Sequence, residues 1–367
     1  PNDTVFRRTI TDQQPLTFSS NVGYQFSSAD VAHLNFQYNQ NDSPQELDRT
    51  ITDYSGSSVS SRSQFEDISN ESDFWEFGGD YEHTFGSGNR WRNLFIINRK
   101  KDDRIRERYE VNESRSKDIF LKTFNQYEEE IFRTSYSLNL SQNQDLEFGV
   151  ERAQTTLESS LKLGLLTDKS VSPEFGGLTP INSSNAVVQE IRHEGFAVHN
   201  WRITERMSLE STIIYEESTI EQSGDTSKKR DFSFIRPKVD YRFDITPSLQ
   251  FRATIEKDVA QLSFNDFTAN IAPNNDEDKN TFAGNPEIKQ EQSWRYDLNL
   301  EYRFDNDNGV INTNLYYQDL EDLIDRINVS TPTLIQSANG NIGNGRRHGG
   351  SVDTSYRLAN FDLPQLL

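Results

Sequence analysis

Residues 294–305 read Trp294-Arg295-Tyr296-Asp297-Leu298-Asn299-Leu300-Glu301-Tyr302-Arg303-Phe304-Asp305. Every even position is apolar or aromatic and every odd one is polar or charged. Successive side chains on a β-strand point to opposite faces, so a period of two marks a strand with one dry and one wet face; a helix would repeat near 3.6. The same order recurs upstream. Leu16, Phe18, Val22, Tyr24 and Phe26 oppose Thr17, Ser19, Asn21 and Gln25, and Leu34, Phe36 and Tyr38 oppose His33, Asn35, Gln37 and Asn39. Phe132, Tyr136, Leu138 and Leu140 likewise oppose Arg133, Ser135, Asn139 and Ser141. Further segments fall near 74–85, 90–98, 145–156, 187–202, 208–219, 233–243, 249–260, 309–319 and 348–358, which makes about thirteen strands. Many run to 10–12 residues, close to the roughly 9–11 tilted residues that cross a bilayer.

The connections alternate in length. Short polar turns lie at 27–30, 86–89, 142–144, 204–206, 244–247, 305–308 and 359–362. Between them fall long linkers at about 40–73, 99–129, 157–186, 220–232, 261–291 and 320–347. An antiparallel up-and-down transmembrane β-barrel does this, with tight periplasmic turns at one rim and long external loops at the other, whereas a soluble sandwich has no reason to. Direction follows: the first strand runs from outside to periplasm. Aromatics near strand ends, including Tyr24, Phe26, Tyr38, Phe85, Trp91, Trp201, Tyr241, Phe243, Tyr302 and Phe304, suit an interfacial girdle. The thirteenth strand also ends in a short turn, with Leu363–Leu367 read as the start of a partner strand. Since closed bacterial barrels normally have even strand counts, the chain reads as a partial barrel domain over 1–367, without the remaining strands.

Composition agrees. Hydrophobic residues are only 33% of the 367 and mean hydropathy is −0.80, too polar for a helical membrane protein. Yet 24 Phe, 14 Tyr and 4 Trp are too many for a disordered acidic chain. A formal charge of −20 argues against nucleic acid as a partner, and the absence of cysteine removes disulfides, thiolate metal sites and thiol nucleophiles. The chain opens at Pro1 without a signal peptide and is read as an excised piece.

Three stretches resemble the barrels of TonB-dependent receptors. The first is His199-Asn200-Trp201-Arg202-Ile203-Thr204-Glu205-Arg206-Met207-Ser208-Leu209-Glu210, running on to Tyr215-Glu216. It looks like the family's strand, tight turn and returning strand, with Asn200, Thr212 and Ile214 where the family has Asp, Gly and Arg. The second is Phe234-Ile235-Arg236-Pro237-Lys238-Val239, the hairpin to Phe251, and Leu262-Ser263-Phe264-Asn265-Asp266-Phe267. The third is Gly284-Asn285-Pro286-Glu287-Ile288-Lys289-Gln290-Glu291-Gln292-Ser293, with Gln290 where Pro is usual. The resemblance implies an N-terminal plug domain, absent from this chain, inside a barrel of about 22 strands. It also implies TonB-coupled import of a scarce ligand such as a ferric siderophore, a corrinoid or an oligosaccharide, with outer-membrane lipid and lipopolysaccharide as surroundings.

Ligand-contacting residues are not readable singly and are assigned to the external loops at about 40–73, 99–129, 157–186, 261–291 and 320–347. No cofactor, metal or catalytic set is read. His33, His83, His193, His199 and His348 are dispersed, without metal-ligand spacing, and read as mostly lumen or loop residues. Asp305-Asn306-Asp307-Asn308-Gly309 is read as a hairpin turn rather than a calcium loop. The acidic run at 274–280 reads as a solvated loop tip. The basic run Arg99-Lys100-Lys101 with Arg104, Arg106 and Arg108 could meet an anionic ligand or lipopolysaccharide phosphate, but its interspersed acids favour a self-neutralising loop. Gly343-Asn344-Gly345 with Arg346 and Arg347 reads as a loop leading into a strand. The alternatives are a passive channel, a barrel enzyme acting on lipid or lipopolysaccharide, and a soluble adhesin-like sandwich.

Overall fold

A computed structural model describes residues 2–55, 58–268, 270–271, 281–282, 284–330 and 336–357. The strands in chain order are β1 (Asn2–Thr11), β2 (Gln14–Gln25), β3 (Asp30–Asp42), β4 (Gln45–Ser55), β5 (Ser58–Thr84), β6 (Arg90–Val111), β7 (Arg115–Ser141) and β8 (Gln144–Leu165). They continue with β9 (Thr179–Thr204), β10 (Met207–Gly224), β11 (Lys228–Thr246), β12 (Leu249–Val259), β13 (Asn270–Ile271), β14 (Thr281–Phe282), β15 (Gln292–Arg303), β16 (Gly309–Glu321), β17 (Ile324–Asn328), β18 (Gln336–Asn341) and β19 (Gly345–Tyr356). Fifteen form one antiparallel sheet: β2 pairs with β3 and β1 with β4, β3 and β4 both pair with β5, and from β5 on each strand of the sheet pairs with the next. β1 and β4 continue β2 and β3 above short breaks at 12–13 and 43–44, so thirteen strands make the wall. The sheet is open between β2 and β19 among the described residues.

Register puts like with like across the wall. Leu298 lies between Ala253 and Leu315, Tyr296 between Ile255 and Tyr317, and Leu300 between Phe251 and Thr313. These side chains face outward and stay uncovered: Leu298 is 48% exposed and Leu315 54%. So many uncovered apolar side chains on one continuous face are intelligible only where the surrounding medium is itself apolar. Along β15 the outward column runs Trp294, Tyr296, Leu298, Leu300, Tyr302, and on to Phe304, with aromatics at both ends and leucines between. Ten residue steps at about 3.3 Å each and a tilt near 40° span about 25 Å, the height of an apolar band. At the short-turn rim aromatic rings pair: Tyr302 and Phe304 ring centroids lie 5.3 Å apart, Phe304 and Tyr356 5.4 Å, and Tyr24 and Phe26 4.8 Å.

The short turns stand where the sequence puts them. At Asp305–Asp307 the Phe304 amide donates to the Gly309 carbonyl, and Asn306 takes a left-handed φ of 57°, as Asn readily does. The turn read at 359–362, and Leu363–Leu367 after it, lie outside the described residues, as does the acidic run at 274–280.

The long connections differ from expectation. Most of 40–73, 99–129, 157–186 and 220–232 is strand, with β5, β7 and β9 reaching 27, 27 and 26 residues. A 27-residue strand is about 90 Å long and, tilted, stands more than twice as tall as the apolar band. Above the bilayer both faces of a hairpin meet water, so the alternation fades while the backbone ladder continues. The turns that remain at this rim include 112–114, 166–178 and 225–227. The described residues of 261–291 and of 322–344 do leave the wall.

Lipid and lumen faces should respond oppositely to the same charge. Leu298→Arg, at mid-band, is expected to cost about 2–4 kcal/mol, and Asn299→Arg, on the other face of the same strand, about 1 kcal/mol or less. Urea unfolding of the complete protein refolded into phospholipid vesicles measures both; equal costs would reject the assignment of faces.

Candidate functional site

The inward face is polar at mid-depth and carries a chain of alternating charge across five strands. Arg133 Nη1 lies 3.6 Å from Glu151, Arg192 Nη2 3.3 Å from Glu151, and Arg192 Nε 3.3 Å from Glu194. Arg236 Nη2 then reaches Glu194 at 2.7 Å and Glu216 at 3.0 Å. Arg133 also stacks 4.0 Å from the centre of the Phe196 ring. Lower on β11, Asp240 accepts from Arg252 Nη2 at 2.7 Å and from Thr254 Oγ1 at 2.9 Å, both on β12. The members restrain one another, so the wall offers a fixed pattern of charge to whatever fills the lumen.

Above the band, the inward faces of the hairpins hold a buried ion triad. Glu66, 2% exposed, accepts from Arg49 Nη2 at 3.1 Å and from Arg106 Nε and Nη2, each at 2.8 Å. Burial alone would push the Glu66 carboxyl up; the Arg106 hydrogen bonds and the charges of Arg106 and Arg49 outweigh it and hold the group below its ordinary value of 4.5. Arg108 pairs with Asp118 at 2.6 Å, and Lys100 with Asp102 at 2.9 Å. The basic run is therefore largely self-neutralising, as read. Two of the run have no carboxylate at ion-pair distance among the described residues: Lys101, outward over the Phe124 ring, and Arg104, inward-facing and half-buried between Asn70 and Thr123.

The mouth is partly covered by the segments that leave the wall. Leu262, Phe264, Phe267 and Ile288 pack on Leu157 of β8, Val188 of β9 and Ile220 of β10, with Tyr127, Phe232 and Ile324 at the edges. Register places Leu157, Val188 and Ile220 on the inward face, so this apolar cap sits inside the rim. Polar contacts fix it: Tyr127 donates to Asn265 Oδ1 at 2.7 Å, Gln222 Nε2 to the Phe267 carbonyl at 3.1 Å, and Asn339 Nδ2 to Asp266 at 2.7 Å. The Gly284-Asn285 motif is explained by the same packing. A Cβ at Gly284 would stand 2.2 Å from the Phe267 carbonyl oxygen, the Asn285 amide donates to the Asp266 carbonyl at 2.7 Å, and Asn285 Nδ2 donates to the Asn339 carbonyl at 2.8 Å.

The histidines come out differently from expectation. His83, His193, His199 and His348 fall on the outward face by register, and His33 on the inward face, near Asp80. Neighbouring positions on one strand alternate faces, so a histidine flanked by inward polar residues points outward. Among the described residues no cluster of three or more His, Cys, Asp or Glu could hold a metal ion. Gly343-Asn344 leads into β19, as read.

The family profile described as TonB dependent receptor-like, beta-barrel matches residues 10–366. Among solved structures the fold is similar to the copper transporter OprC, with TM-score 0.61 and 13% identity over 95% of this chain and 59% of that one. It is similar to the ferric citrate transporter FecA in its unliganded form (0.56, 11%, 98% and 56%) and to the ferric-catecholate import receptor Fiu from E. coli K12 (0.55, 11%, 96% and 62%). The chain thus spans less than two thirds of the solved structures it resembles. No curated protein sequence matches it.

Removing the shared carboxylate should loosen the hairpins above the membrane. Glu66→Ala, which strands two buried guanidinium groups, is expected to cost about 3–5 kcal/mol of local stability. Hydrogen exchange would then rise over β4, the outer half of β5 and the outer half of β6, but not over β2 and β3. In the parent protein the triad's contribution is fully present above the ordinary glutamate value and is lost as pH falls through the lower folded value. Exchange that did not rise below pH 4.5 would contradict the triad. Gly284→Ala should raise exchange over 284–291 in the same measurement, because the added carbon displaces the cap from Phe267.

Proposed function

The chain belongs to the TonB-dependent receptor-like β-barrel family of the outer membrane, and from that premise we propose that the complete protein imports a scarce ligand across that membrane by TonB-coupled transport. The observation that carries this reading is the inward-facing vestibule: rigid hairpins far taller than the bilayer, a polar charged wall below them and an apolar cap across part of the mouth. A simple diffusion pore needs none of this height. We infer too that further strands close the wall between β2 and β19 and that a plug domain fills the lumen against the charge chain from Arg133 to Glu216.

The ligand is a siderophore, corrinoid or oligosaccharide in class. Within that range Arg104 favours an anionic chelate, since an inward guanidinium without a protein carboxylate is a ready partner for carboxylate or catecholate oxygens. The related transporters named above carry copper, ferric citrate and ferric catecholate by their own descriptions.

Uptake of radiolabelled ferric citrate and of a ferric catecholate is to be measured with the complete receptor in cells with and without TonB. Accumulation of one chelate only where TonB is present supports the reading, and Arg104→Ala should then lower apparent affinity about tenfold, the worth of one charge-assisted hydrogen bond. Equal accumulation without TonB would make the protein a passive channel.

A further inference from the structure

The outward wall carries a broad, open depression. Across β6 to β10 a groove of 720 Å³ opens on the lipid-facing side, lined by Trp91, Tyr136, Phe148, Val150, Ile213 and Tyr215, with Gly195 and Ala197 of β9 between the two walls. Register explains it. Gly195 pairs with Val150 on one side and Tyr215 on the other, and Ala197 with Phe148 and Ile213, so two rows of large side chains stand two strand spacings, about 10 Å, apart over a floor of small ones. After the flanking side chains take their share, an extended hydrocarbon chain fits. A Cβ built on Gly195 meets nothing within 4 Å, so the gap is open to the medium rather than filled by protein.

One register step toward the long-hairpin rim, the same outward face turns polar at Arg152 of β8 and His193 of β9, which pair directly. Two other rim cations are matched, Arg99 at 3.9 Å from Asp73 and Arg346 at 3.5 Å from Asp319, whereas Lys101 and Lys257, far from the groove on β6 and β12, are not matched among the described residues. Arg152 donates to Gln154 Oε1 at 2.9 Å and has no carboxylate at ion-pair distance among the described residues. Its cross-strand neighbours are Phe132 and His193. The acids nearest on this face are Glu217, opposite His193 and engaged by the Tyr215 hydroxyl at 2.6 Å, and Glu130, opposite Gln154. A guanidinium at the end of an apolar groove, at the height where headgroups lie, matches an amphiphile whose acyl chain meets a phosphate.

We propose that this groove is a specific site for a phosphorylated, multiply acylated lipid of the outer leaflet, with one acyl chain lying over Gly195 and Ala197 and a phosphate on Arg152. The site rests on the lipid exposure of this face and not on which ligand the receptor imports. The lipid would seat the barrel at a fixed depth and rotation among its neighbours, on the side of the wall formed by β7 to β10.

Native mass spectrometry of the complete receptor, delipidated in detergent and titrated with bisphosphorylated lipid A, tests it. The parent should retain one lipid A with preference over phosphatidylethanolamine. Gly195→Leu, which fills the groove, and Arg152→Gln, which removes the charge, should each cut retention about tenfold, the worth of one lost charged hydrogen bond or a blocked acyl contact. Circular dichroism and heat-modifiable gel mobility establish that both variants still fold. Retention unchanged in both folded variants, equal retention of phosphatidylethanolamine, or an Arg152-dependent adduct with inorganic phosphate alone would each overturn the proposal.

Discussion

The backbone hydrogen-bond ladder is the constraint from which the rest follows. In hydrocarbon an unpaired N–H or C=O has no water to turn to and costs several kcal/mol, so a spanning sheet pairs every strand along its length. Between β2 and β19 each wall strand takes both partners from the wall strands before and after it. That arrangement needs a tight turn at one rim and leaves the other free to lengthen. With the backbone satisfied, side chains answer only to the medium each face meets. This is how a chain of mean hydropathy −0.80 lives in a membrane: half of each crossing faces lipid, and everything above the crossing faces water.

The two faces then use different chemistry for shape. Inward, neighbouring guanidinium and carboxylate groups hold one another in place, as Arg192 and Arg236 do around Glu194, and the wall gains a rigid pattern where mobile side chains would otherwise be. Outward, shape comes from size alone. Replacing large residues by Gly195 and Ala197 on one strand opens a groove without disturbing a single ladder bond. At the mouth both meet: Phe264, Phe267 and Ile288 supply burial, while Tyr127, Gln222 and Asn285 supply direction.

The membrane-crossing part of the fold was legible because alternation is imposed by lipid. Trp294 to Phe304 shows it without interruption, and the short turns and aromatic girdle follow from the same physics. The strand extensions were not legible, since a hairpin wetted on both faces loses the period while keeping its hydrogen bonds. Nothing in the sequence marks Leu157, Val188 and Ile220; their meaning lies in a cap contributed from more than forty residues further on. The segments that build the cap, Leu262–Phe267 and Gly284–Ser293, stood out through their resemblance to family segments, but the cap they form was not read. Arg104 stood out only as one basic residue in a mixed run, and Arg152 not at all, because the partners each lacks are a matter of register.

Continuing the ladder far above the membrane changes how the exposed part of the protein meets hydrolytic enzymes. A protease draws an extended, unpaired segment of several residues into its cleft. Residues 99–111, 119–129 and 157–165 are exposed by position yet have both strand partners engaged, so as substrates they are closed. Among the described residues from β6 to β11 the open surface at this rim contracts to the turns 112–114 and 225–227 and the connection 166–178, where even Pro173–Phe175 is wound into a helical turn that Gly176 terminates. A receptor that must hold polar chain out into a hostile medium can thus do so without offering that medium much to cut.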